Sequence, residues 1–126
     1  MVEFALIMPV LLIILVGIIK FGVVYNNYIT LTDAVRVGAR QLSLGRGYPT
    51  DPCAAAKTRT INAATSLHLT TSQIQTIPTA PDECSAGGIV TQGSSVTVTA
   101  TYPCDLGLFG ITIPCTLTAS STEAVE

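Results

Sequence analysis

An α+β protein is what the sequence predicts, built as one long N-terminal helix that carries a small head. Three observations lead there. Phe4 to Ile19 is almost wholly apolar and holds no charged side chain, in a stretch whose length suits a membrane-spanning helix of about 17–25 residues. From Asn26 to Leu44 the pattern turns amphipathic and stays helical. Beyond Leu69 apolar residues alternate with hydroxyl side chains, the period of half-buried strands. The expected parts are an apolar helix (1–25), its amphipathic continuation packing on the head (26–45), and an α+β head (46–126).

Composition narrows the class. Of 126 residues, 48% are hydrophobic and 11% charged, less than half the usual charged share of about 25%. A net charge of −2 gives no electrostatic footprint for nucleic acid. Cys53, Cys84, Cys104 and Cys115 form an even set outside the apolar segment. Beside an export segment such a set reads as disulfides.

The first helix is expected to start at Met1 or Val2. Its apolar half is longer than a signal-peptide core, and no basic side chain precedes it. A short basic leader, already removed, would account for that flank. Glu3 opens the run, Pro9 interrupts it, and Lys20 is the single charge between Glu3 and Asp33. Pro9 removes a helical hydrogen bond and crowds the preceding turn, so a kink or local melting is expected there. Gly17, Gly22 and Gly38 are small positions where another helix could approach closely, although glycine is also simply common in membrane helices.

In the outer half, Leu31, Val35, Ala39 and Leu42 make one helical stripe. Asp33 and Arg36 lie within pairing reach on another face. Gly45-Arg46-Gly47 followed by Pro49 is a strong stop. A helix from residue 3 to 44 would measure about 63 Å, twice a bilayer core of about 30 Å. Its outer half must therefore project and pack on the head.

Asp51 caps a second helix with Pro52 at its first position. It is expected from Cys53 to about His68, with Ala56, Ala64, Leu67 and Ile61 available to pack. His68, the single histidine, reads as a solvated cap at the negative helix end. No spacing supplies it with metal or catalytic partners.

Strands are expected at Gln73–Ile77, Ser95–Pro103 and Pro114–Ala124, with loops at Thr79–Gly88 and Leu106–Thr112. Placing Cys104 opposite Cys115 in an antiparallel hairpin puts Tyr102 on Leu117, Ala100 on Ala119 and Val98 on Ser121. A slip of one residue would destroy that apolar match. This register favours Cys104–Cys115 and leaves Cys53–Cys84 by elimination, although four cysteines allow three connectivities.

Together, VEFALIMPVLLIILVGIIKFG, YNNYITLTDAVRVGARQ, the late SSVTVTATYP and the C-terminal TLTASSTEAVE resemble the TadE-like pilins of tight-adherence pili, within the wider type IV pilin class. The likeness is concentrated in the first 40 or so residues (one apolar-to-amphipathic helix). It implies a bacterial prepilin whose leader a prepilin peptidase cuts. It also implies residence in the inner membrane, then ATPase-driven assembly into an extracellular filament. Glu3 falls on the acidic residue of the pilin N-terminus, although closer to the first residue than that pattern places it. Lys20 stands in a GII-x-FG stretch where such sequences often carry an acid.

Three classes of function then compete. One is a structural filament subunit, its N-terminal helices forming the core with copies of itself or other pilins and its heads the surface. Glu3, Pro9, Gly17, Lys20 and Gly22 are the assembly candidates. In a packed core Glu3 would pair with an N-terminal ammonium, since a buried charge is costly unless paired; in lipid it would cap the positive helix end. Within this class a minor pilin that primes or tips the filament is the alternative. The second class is a single-pass envelope protein whose head binds a partner. The third, a membrane-anchored enzyme, lacks support: the sequence has no Gly-rich phosphate loop, zinc spacing or nucleophile elbow. Asp82 and Glu83 read as solvated loop acids. No cofactor is expected.

Overall fold

A computed structural model describes residues 2–44, 51–77, 93–107 and 113–125. Helix α1 runs from Val2 to Ser43, 42 residues or about 63 Å, with Leu44 in the turn that follows. It is continuous through Pro9, so of the expected kink or local melting the melting does not occur. Pro9 forfeits one helical hydrogen bond, and the bonded turns on either side carry the helix through it. The Gly45–Gly47 stop lies outside the described residues.

The outer half of α1 packs as its pattern requires. Leu31, Val35, Ala39 and Leu42 are fully buried, with Ala34 beside them. Asp33 and Arg36 pair at 3.7 Å on the solvent side, an exposed contact worth at most about 1 kcal/mol.

Helix α2 covers Pro52–Ala63. The Asp51 carboxylate accepts from the backbone N–H groups of Cys53 and Ala54, and Pro52 takes the first turn. The helix is shorter than the sequence predicts. It yields at Ala64 to a 3-10 turn, Thr65–Leu67, which His68 ends in the left-handed region at φ 48°. Histidine tolerates that region better than bulky residues do, and its side chain is exposed, as a solvated cap requires. The break still lets Ala64 and Leu67 reach the core.

A second 3-10 turn, Thr71–Gln73, takes Gln73 from the expected strand. Thr70 N–H donates to Gln73 Oε1 at 2.8 Å, closing a capping box. Strands β1 (Ile74–Ile77), β2 (Ser95–Asp105) and β3 (Pro114–Ala124) form an antiparallel sheet in that order. The hairpin has the expected register: Cys104 faces Cys115, Tyr102 faces Leu117 and Ala100 faces Ala119. A disulfide joins Cys104 to Cys115. Cys53 is disulfide-bonded too; its expected partner Cys84 lies outside the described residues, as do Asp82 and Glu83 and the Thr79–Gly88 loop. Residues 108–112 of the expected hairpin tip are likewise outside them.

The sheet has two chemically distinct faces. Val96, Val98, Ala100 and Ala119 point inward, joining Ile74, Leu67, Leu69 and the α1 stripe in one core. Thr97, Thr99 and Thr101 face outward beside Thr122, Ser120 and Thr118. The Thr97 and Thr122 hydroxyls meet at 2.8 Å. Past the hairpin, Val125 N–H donates to Ser94 O at 2.9 Å and Val125 is itself buried, which ties the chain's last described residue to the head.

Candidate functional site

The inner half of α1 has no head beneath it. Side chains from Leu6 to Leu15 are all exposed: Leu6 is 74% accessible, as are Phe4 at 71% and Phe21 at 67%. The helix is long and apolar enough to cross a membrane, and none of its most apolar stretch is buried. A monomeric soluble protein rarely exposes so much contiguous apolar surface. Such a face must be covered by lipid or by other protein.

The five assembly candidates all lie on this bare segment, but on different sides. Gly17 and Gly22 line one shallow apolar groove of about 570 Å³ with Ile14, Ile18, Phe21 and Tyr25. A Cβ placed on either glycine would meet nothing within 4 Å, so the protein's own fold does not demand these glycines. At about 100° per residue, Glu3 falls within roughly 40° of Gly17 around the axis. Glu3 is exposed in the first turn and makes no ion pair among the described residues. Pro9 and Lys20 sit elsewhere. They lie within about 20° of each other, and Lys20 continues the line of Val24, Asn27 and Leu31 down from the head. Lys20 is exposed and also unpaired among the described residues.

Gly38 answers differently from the other two glycines. It is buried against α2, and a Cβ there would collide with the Thr60 hydroxyl. The helix that it admits is the chain's own.

One feature escaped the sequence reading. Where α1 leaves the head, Val23, Val24 and Asn27 face Tyr102, Pro103 and Asp105 across a notch of about 310 Å³. Asp105 is exposed, and its Oδ1 accepts from Gly107 N–H at 2.7 Å. The notch joins the waist of a helix to the end of a hairpin some 80 residues away in sequence (roughly the size of the whole head). Only the spacing of Lys20, Val24, Asn27 and Leu31 hinted that the head-facing line continues below the core.

A rod bare and apolar for half its length, with a disulfide-bonded α+β head packed on the rest, defines a helix-anchored protein of membranes or helical assemblies. The comparison with known families is more particular: residues 1–40 match the family model described as TadE-like protein. The long helix is therefore similar to that of TadE-like proteins; the match ends before the head. No curated protein matches the chain, and no solved structure does.

Proposed function

We propose that the chain is a structural subunit of an extracellular Tad-type filament of the type IV pilin class. The observation that carries this reading is the contrast along α1. Its outer stripe is sealed in the head, while none of the most apolar stretch of its inner half is buried. Before assembly, lipid of the inner membrane covers that half. In the filament, the equivalent helices of neighbouring copies, or of other pilins, replace the lipid. The heads then form the outside, with their neutral Thr and Ser face available to water. Prepilin peptidase and an assembly ATPase are the partners that this route requires. Glu3 serves as the charge that an incoming subunit pairs with an N-terminal ammonium.

The test is where the protein is found. Filaments sheared from cells should contain it, with its head at every repeat of the density. Recovery only in membrane extracts would favour a single-pass envelope protein. A head seen only at filament ends would favour a minor, priming or tip subunit.

A further inference from the structure

We propose that the notch at the waist of α1 holds the headgroup of a phospholipid carrying a primary ammonium, its phosphate toward Lys20 and its ammonium on Asp105. This rests on the membrane-resident state proposed above.

Depth is the first argument. A hydrocarbon layer of about 30 Å that begins at Phe4 takes up about 20 helical residues. It ends near Val23 and Val24, the helix residues that line the notch. The notch therefore lies in the outer headgroup layer, at the level of Tyr25 and Tyr28, which are exposed there as interfacial aromatics commonly are.

The order of charges is the second. Lys20 lies one helical turn below Val24, about 6 Å deeper. Asp105 lines the notch itself. Going outward from the lipid tails, the protein thus presents a cation and then an anion. A phosphoethanolamine headgroup presents the reverse: phosphate first, then ammonium. Each charge meets its opposite. Lys20 reaches the phosphate by extending its stem along the helix.

Asp105 is also held ready for a donor. Gly107 N–H occupies Oδ1 at 2.7 Å, which fixes the carboxylate, and Oδ2 accepts no hydrogen bond among the described residues. Asn27 lines the same notch, and an asparagine amide carries an acceptor oxygen of its own. A primary ammonium can donate to carboxylate and amide oxygen alike. A choline headgroup has no N–H to give, and an anionic headgroup would meet Asp105 unfavourably. The volume of about 310 Å³ is some ten times a water's share of about 30 Å³, enough for a headgroup.

The experiment reconstitutes the full chain into vesicles of equal parts phosphatidylethanolamine, phosphatidylcholine and phosphatidylglycerol. Lipids that survive mild detergent extraction are counted by native mass spectrometry. The wild-type protein should keep phosphatidylethanolamine over phosphatidylcholine by roughly tenfold, equivalent to about 1.4 kcal/mol. Asp105→Asn preserves the Gly107 bond and should bring that ratio to near one while total retention persists. Lys20→Met should insert as well as wild type and lose retention of all three lipids, and Lys20→Arg should restore it. A wild-type ratio near one, a preference for phosphatidylglycerol, or an unchanged ratio in Asp105→Asn would overturn the proposal alone. A wild-type protein that inserts into none of these vesicles would overturn the membrane-resident reading and the proposal with it.

Discussion

Gly38 of α1 lies directly against Thr60 of α2, so closely that a single added methyl would fall on the Thr60 hydroxyl. Thr60 is fully buried and its hydroxyl donates to Ala56 O at 2.9 Å. The hydroxyl is thereby satisfied within its own helix and presents no unmet polar group to α1. Glycine on one helix and a back-bonded threonine on the other let the two backbones approach.

Gly38→Ala should therefore destabilise the head by about 1–3 kcal/mol. The gain of roughly 0.5–1 kcal/mol from replacing a helical glycine is smaller than the clash. Thr60→Ala removes the obstructing oxygen and leaves the new methyl no neighbour closer than 3.4 Å. The double variant should recover most of the lost stability. Thermal melts of the four proteins in one detergent measure the coupling; additive losses would mean that the two residues do not meet.

The Cys104–Cys115 bridge closes a loop of 11 positions and should contribute roughly 2–4 kcal/mol. Replacing both cysteines with serine should lower the melting temperature of the head by about 10 °C or more while leaving the strand register intact. Peptide mapping under non-reducing conditions checks the connectivity. Cys53 found joined to Cys104 would refute the pairing described above.

Glu3→Ala keeps the helix and makes it more apolar, so membrane insertion should be unaffected. Filament yield should fall sharply, because a subunit entering the core loses its charge partner. Normal yield would reduce Glu3 to a cap on the positive end of the helix.

Gly17→Leu and Gly22→Leu separate folding from assembly. With nothing within 4 Å of either position, the head should melt unchanged in both variants. The leucines fill the groove of about 570 Å³ where a second helix would approach. Filaments should become scarce while the membrane-bound protein stays abundant. Filament yield equal to wild type would show that this groove faces lipid or solvent in the assembled state.

Much of this fold was legible because its pattern is one-dimensional. The Leu31, Val35, Ala39 and Leu42 stripe needs only helical periodicity, and all four are buried. The hairpin register needs only Cys104 opposite Cys115 and a two-residue alternation. What stayed hidden depends on partners. Thr60 looks like a solvent-facing residue until Gly38 is placed against it. The end of α2 at Ala63 follows from how the chain turns toward β1, which no local propensity encodes. Among the candidate residues, sequence could find Glu3, Lys20 and the glycines as exceptions within an apolar run. It could not sort them around the axis against the head, and it could not see Asp105 beside Asn27.

An unbroken α1 also makes the head and the apolar segment a single rotor. Each residue inserted between Val24 and Leu31 would turn the head by about 100° and lift it by about 1.5 Å relative to the segment below. One extra residue would swing Asp105 away from the line of Lys20, and a filament built on the old core contacts would find its heads colliding with different neighbours. Seven extra residues would return the head to within about 20° of its first bearing, raised by about 10.5 Å. The waist of this helix thus carries a constraint on length that is separate from any on its side chains: the number of residues there can change only in near-whole turns.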